Sequence, residues 1–326
     1  MQMGRMGFRW FLALMFGFFG YALAQSSFVL PGTLGFEYQR LNNCGPVTTQ
    51  MLLSLYGVRV TQASAAKALK GSYRDRNVTT PEMAAYLGQQ GLRTVRRWGI
   101  TAALARDLLR AGFPVILHQT QTVTSDIGHF RVAYGFDVGG IITGDSMFGP
   151  RVRFTDADFA RVSRPFNGEF LIAYRPAQSD DIERVLGEDW SRTQNLQRLL
   201  ARNEAQVRAA PNDGFAWWGL GQARLYLGQP QVAARAFDQA VRAGLPKKQF
   251  WYQHDAFAAW NQAGHYRTTD RVAATALKGY PNSTEINLAH ATALDGLGRH
   301  TAATLARRAA STEDPRIKIM RTSAAQ

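Results

Sequence analysis

Apolar positions along this chain recur first at helical spacing, then at strand spacing, then at helical spacing again. From Val47 to Tyr56 (VTTQMLLSLY) the period is that of a helix, and Gly57 stops it. Gln62 to Leu69, ended by Gly71, and Thr101 to Ala111, ended by Gly112, are amphipathic in the same way. Thr79-Thr80-Pro81-Glu82 has a capping hydroxyl and a proline in the first turn, which predicts a helix through MAAYLGQQ. Leu92 to Arg96 alternates as a short strand does. From Pro114 the period shortens to two. Pro114 to Gln119, His129 to Phe136, Ile141 to Asp145 and Glu169 to Tyr174 are β-branched and aromatic runs bounded by Gly, Asp and Ser. Helices followed by an antiparallel sheet predict an α+β domain.

Helical periodicity returns after a polar link at Arg175 to Asp180. Asp181 to Ala209 reads as one long helix with Leu186, Leu196, Leu199, Leu200 and Val207 as its apolar spine. Beyond it the chain repeats. Pro211, Pro246, Pro281 and Pro315 lie 35, 35 and 34 residues apart, and Gly228, Gly264 and Gly298 lie 36 and 34 apart. Each unit predicts two helices with a glycine turn between them, the form of a tetratricopeptide repeat. The first unit fits best, through Trp217, Leu220, Gly221, Gly228, Ala233, Phe237 and Ala240. Later units keep the small residues Ala276, Ala291, Ala303 and Ala310, which let helices approach and stack into a common core. Three helix pairs behind a leading helix make an all-α solenoid.

With 46% hydrophobic and 19% charged residues the composition excludes a disordered chain. The N-terminus reads as a signal peptide over residues 1–24: Arg5 and Arg9 form a basic region, Trp10 to Tyr21 is apolar, and Ala22-Leu23-Ala24 has the form of a cleavage site. The apolar run is short for a spanning helix, so cleavage is favoured over a retained anchor. The expected organisation is then a first domain over 25–176, a repeat domain over 177–315 and a tail over 316–326. The protein is expected to be exported to the periplasm, the cell envelope or the medium. The formal charge of +14, or +12 without Arg5 and Arg9, favours peripheral contact with anionic envelope surfaces. No helix-turn-helix, zinc or aromatic-basic signature accompanies the charge, so no nucleic-acid partner is expected.

Export changes the meaning of Cys44, the only cysteine in 326 residues. A secreted chain that used cysteines for stability would pair them, and an unpaired thiol in an oxidising compartment calls for another reason. Cys44-Gly45-Pro46 stands where a loop turns into the helix at Val47, with Pro46 suited to its first turn. The positive end of a helix favours the thiolate, which is the nucleophile. Gly45 leaves room for a substrate carbonyl to approach the backbone. Such a thiolate needs a base, and the first domain offers two histidines. His118 lies inside the apolar run Pro-Val-Ile-Leu-His, which suits a structural role. His129 begins a strand after Gly128, at the edge of the polar loop Thr120 to Gly128, and an exposed base is expected there. A carboxylate that orients the imidazole could be Asp145, which ends the strand expected to pair with that of His129. Asp137 and Asp126 are rivals better explained as turn residues, and Asp145 taken alone could equally form a turn before Ser146.

Gln39-x4-Cys44-Gly45-Pro46, then Gly128-His129-Phe130-Arg131-Val132 with Gly135-Phe136-Asp137, then Ile141-Ile142-Thr143-Gly144-Asp145, resembles the papain-like cysteine peptidases of the bacteriocin-processing type, peptidase family C-39. The resemblance covers roughly Leu34 to Arg175. It implies that Cys44 is the nucleophile, His129 the base and Asp145 the orienting residue, and that Gln39 forms an oxyanion hole with the Cys44 backbone N–H. It departs from the pattern twice: Gln39 stands five residues before Cys44 where papain-type enzymes usually have six, and Ser146 follows Asp145 where a proline is frequent. The expected function is an exported cysteine peptidase or amide hydrolase that uses no cofactor or metal. Its substrate would be a peptide or protein, and its repeats would dock a protein partner or the substrate. The competing reading is an inactive papain-like domain in an envelope scaffold that acts through its repeats. His254, His265, His290 and His300 of the repeats are expected to do no chemistry. Trp251, Tyr252 and Trp260 are expected to pack in the core rather than line a groove.

Overall fold

The computed structural model describes residues 27–313 apart from 73, 74 and 76. The expected signal peptide and tail lie outside the described residues. The first domain is built on an antiparallel sheet of seven strands: β1 (Phe28–Val29), β2 (Arg93–Arg97), β3 (Val115–Thr120), β4 (Gly128–Asp137), β5 (Gly140–Asp145), β6 (Gly149–Phe154) and β7 (Phe170–Tyr174). Their order is β2-β7-β3-β4-β5-β6, with β1 paired to β4. Helices α1 (Cys44–Leu55), α2 (Gln62–Leu69) and α3 (Thr80–Gln89) cover one face of the sheet, and α4 (Ala102–Arg110), α5 (Asp156–Ser163) and α6 (Ser179–Leu186) cover the other. Alternation along the strands divides the two cores. Ile116, Val132 and Leu171 meet Met51, Leu52 and Met83 on the first face. Val115, Leu117 and Ile172 meet Leu108, Leu109 and Ile182 on the second. Strands covered on both faces read as the near-continuous apolar runs seen in the sequence.

The expected 181–209 helix is two. α6 ends at Gly187, whose φ of 54° and ψ of −126° are open to glycine and costly for other residues. A single 3-10 turn follows, and Ser191 caps α7 (Arg192–Ala209) by accepting from the Gln194 N–H. Ile182 and Leu186 of α6 pack into the first domain, so its core continues past Pro176. Three elements of the first domain, β1, β6 and α5, have no counterpart in the sequence reading. β6 is an edge strand whose arginines face solvent, and α5 is capped by Thr155 Oγ1, which accepts from the Asp158 N–H at 3.1 Å.

Behind α7 stand three helical hairpins: α8 (Gly214–Tyr226) with α9 (Pro230–Arg242), α11 (Asp255–Gln262) with α12 (Tyr266–Gly279), and α13 (Thr284–Gly296) with α14 (His300–Glu313). A one-turn helix, α10 (Gln249–Tyr252), lies between the first hairpin and the second. Gly228, Gly264 and Gly298 turn the hairpins at φ values of 76°, 77° and 73°. Trp218, Phe237, Phe257 and Trp260 fill the shared core, with edge-to-face contacts such as Trp218 on Phe237. Trp260 is therefore a core residue; Trp251 is half-buried with its ring packed against the helical core and its backbone O bonded to Asn77, and Tyr252 is half-buried with its ring on Gly128 of the first domain.

The two halves meet through buried amides. Asn195 Nδ2 donates to Trp98 O at 2.9 Å and its Oδ1 accepts from Trp98 N at 3.2 Å. Asn167, held in the left-handed region at φ 56°, accepts from Arg202 Nη2 at 2.8 Å and donates to Gly219 O at 3.3 Å. Gln249 and Gln253 donate to Pro165 O at 2.7 and 2.9 Å. Each of these bonds fails if one half rotates on the other, because a buried amide left without its partner is costly.

Candidate active site

Cys44 is the first residue of α1 and is half-buried. The loop before it passes through Asn42, at φ 58°, to Asn43, which makes no side-chain cap to the first turn. Gly45 does not serve as an approach for substrate, contrary to expectation. It is buried, and a Cβ there would stand 2.9 Å from the Val78 Cβ, so the missing side chain lets Val78 pack on the start of α1.

Gln62 of α2 holds the loop from beneath. Its Oε1 accepts from Arg40 N at 2.6 Å and Asn43 Nδ2 at 3.0 Å, and its Nε2 donates to Glu37 Oε1 at 2.9 Å and Tyr38 O at 3.1 Å. On the other side Gln39 N donates to Ser146 O at 2.9 Å, and Ser146 Oγ donates to Gln39 Oε1 at 2.7 Å. The two places where the sequence departs from the family pattern thus bond to each other. With its oxygen occupied, the Gln39 carboxamide has its NH2 left to donate.

His129, the second residue of β4, stands between Asp145 and Cys44. Its Nε2 lies 2.9 Å from Asp145 Oδ1, and the ring stands beside the Cys44 thiol, near enough to act on its ionisation. Nε2 being taken, Nδ1 is the nitrogen that faces sulfur. The ring is only 1% exposed, so the expected exposed base is a buried one. Tyr252 of α10 and Phe166 close over its neighbour Gly128, where a Cβ would lie 2.7 Å from the Tyr252 Cγ.

Asp145 also accepts from Arg131 Nε at 2.5 Å, Met147 N at 2.8 Å and Phe148 N at 3.2 Å. Burial alone would raise its pKa, but the bond and charge of His129, the charge of Arg131 and the Met147 N–H hold it down at about 2. The same carboxylate is thus an orienting partner and the start of a turn, the two roles the sequence left open for it. Burial works against a Cys44 thiolate. The hydrogen bond and charge of His129, with backbone bonds at Phe130 and Gly45, still bring the thiol below its usual range. For His129 burial pulls down and the bonds to Asp145 and Cys44 push up, leaving it raised. A lowered thiol beside a raised imidazole favours the thiolate–imidazolium pair.

Arg131 escaped the sequence reading. It is fully buried, it stands two residues from His129 on the same side of β4, and it also donates to Thr120 O at 2.9 Å and Gln119 Oε1 at 3.2 Å. The only signal for it was an arginine inside an otherwise apolar strand. His118 has the structural role expected of it. Its Nδ1 is 2.8 Å from Glu169 Oε2, and its ring stacks between Phe130 and Phe166 at 4.3 and 3.7 Å. Asp137 accepts from Gly139 N at 2.9 Å and pairs with Arg153, as a turn residue does, and Asp126 pairs with Lys248 at 2.8 Å.

A cysteine at a helix start, joined through an imidazole to a carboxylate on an antiparallel sheet, defines a papain-like arrangement. Residues 24–164 match the model of the Peptidase_C39 like family, a span that holds Gln39, Cys44, His129 and Asp145 and excludes the helical stack. No curated protein matches the chain. Similar solved structures include the peptidase domain of Streptococcus ComA, described as a bi-functional ABC transporter involved in quorum sensing. It is 17% identical, covering 43% of this chain and 96% of that one with a TM-score of 0.37. A double glycine motif protease of an AMS/PCAT transporter, solved with its leader peptide, is 21% identical over 44% of this chain and 92% of that one, TM-score 0.35. MamA MSR-1 C2 is 19% identical over 40% of this chain and 75% of that one, TM-score 0.34.

Proposed function

We propose that the protein is an exported thiol hydrolase that cuts a peptide or other amide bond, with its repeats engaged in docking. The observation that carries this reading is the placing of Cys44, at the start of α1, beside the ring of His129, whose Nε2 is bonded to Asp145. The Cys44 thiolate attacks the carbonyl carbon, a C–S bond forms, and the carbonyl oxygen takes up the negative charge. The Gln39 NH2 and the Cys44 backbone N–H are the donors for that oxygen. His129 gives its Nδ1 proton to the departing amine as the C–N bond breaks, leaving a thioester. It then takes a proton from water, whose oxygen displaces sulfur to release the acid. Asp145 holds the ring throughout and favours its charged form.

The test is the rate at which iodoacetamide alkylates Cys44 as a function of pH, with the tagged peptide mapped. A lowered thiol pKa makes the rate nearly flat through neutrality and lets it fall only in acid, whereas a free thiol gains reactivity up to about pH 8.5. His129→Ala returns the profile to that of a free thiol, and Cys44→Ala abolishes both labelling and cleavage. A wild-type thiol that reacts no faster than free cysteine at pH 6 defeats the hydrolase reading in favour of a scaffold.

A further inference from the structure

We infer that the helical domain supplies one wall of the substrate cleft, and that Trp251 and Tyr252 select a peptide with an apolar, above all aromatic, side chain beside the bond to be cut. The inference rests on the hydrolase reading and adds the class of substrate to it.

A cavity of about 660 Å³ opens beside Gln39 and Ser146. Its first-domain side carries Tyr38, Leu41 and Met147, and its other side is Trp251, Tyr252 and Tyr280, from a part of the chain some two hundred residues further on. Tyr38, Leu41 and Met147 are 63%, 86% and 40% exposed. Large apolar side chains gathered in the open around a cleft mark a place where something apolar binds. Among the described residues that line the cavity, Arg40 is the one that carries a charge. A basic substrate side chain would find no carboxylate there, while an aromatic one would meet rings on two sides.

The aromatic wall is held in place rather than draped. Lys248 pairs with Asp126 at 2.8 Å, and Gln249 and Gln253, on either side of Trp251 and Tyr252, both donate to Pro165 O. The Trp251 indole donates to Ala276 O at 3.2 Å and lies so close on Gly279 that a Cβ there would be 2.3 Å from its ring. Trp251 O accepts from Asn77 of the first domain. Tyr252 rests on Gly128, one residue from His129. The wall therefore stands at a fixed place beside the reacting groups, as a specificity surface must.

The experiment compares two peptidyl chloromethyl ketones of one length, ending in Phe or Lys, whose chloride the Cys44 thiolate displaces as a C–S bond forms. The wild-type protein is expected to react about tenfold or more faster with the Phe reagent. Trp251→Ala and Tyr252→Ala bring the ratio close to one, each ratio being read beside the iodoacetamide rate of the same variant, since that reagent is too small to use the wall. Where an alanine variant loses its near-ultraviolet dichroism, Trp251→Gln and Tyr252→Gln must lower the same ratio. A wild-type ratio near one, or a ratio kept in folded variants, overturns the inference. Slow iodoacetamide labelling counts against the hydrolase reading alone, because the ratio of the two ketones is still read.

Discussion

The hydroxyl of Ser146 fixes which end of the Gln39 carboxamide faces the cleft, and a single bond of 2.7 Å does it. Removing that bond frees the amide to turn its oxygen toward the place where negative charge develops. Ser146→Ala is expected to lower kcat about tenfold, less than the loss of an oxyanion donor outright. KM and the iodoacetamide rate stay near wild type, because thiolate formation does not use Gln39; Ser146→Thr restores kcat. Steady-state kinetics beside alkylation rates check it. Cys44 was legible from its uniqueness and from the Gly-Pro that follows, and His129 from its place after a polar loop. Gln39 was legible only through a family resemblance, because its partner Ser146 lies more than a hundred residues away. Arg131 stood in the sequence only as a charge inside an apolar strand, with no role attached to it. Its reason for being buried is Asp145, and strand pairing alone brings the two together.

At the scale of elements, glycine punctuation made α1 to α4 and the hairpins of the second half readable, since Gly57, Gly112, Gly228, Gly264 and Gly298 all stop or turn helices at positive φ. The same signal at Gly187 went unused, and one long helix was expected where two stand. β6 was hidden because an edge strand with arginines on its outer face lacks the apolar run of the inner strands. α10 was hidden because a single turn has no period. The tight start of α1 gives a prediction at this scale. Gly45→Ala places a methyl group against Val78 and is expected to cost about 1–3 kcal/mol by overpacking. In a double-mutant cycle with Val78→Ala the combined loss is smaller than the sum of the two single losses, measured by thermal or urea unfolding. Equal additivity would place the strain somewhere other than at this contact.

For the molecule as a whole, two buried carboxylates tie stability to pH. Asp145 is held at about 2 against its own burial by His129 and Arg131, and Glu169 at about 2 by Arg96 and His118. Both lie below the ordinary values near 4 of an unfolded chain. The unfolded state therefore binds protons first as pH falls. The stabilisation, on the order of 2 kcal/mol for each group, is complete above about pH 5 and drains away between about pH 4 and pH 2. Melting temperatures taken across that window are expected to fall steeply, and Glu169→Gln should make the fall shallower. The division of labour between the halves has a further consequence in time. Synthesis delivers Cys44, His129 and Asp145 well before α10, so on the hydrolase reading the reacting groups precede the wall that would grip a target. On the hydrolase reading, cleavage of a peptide waits for the wall that α10 brings, so the length of the chain sets a delay between the reacting groups and their grip on a target.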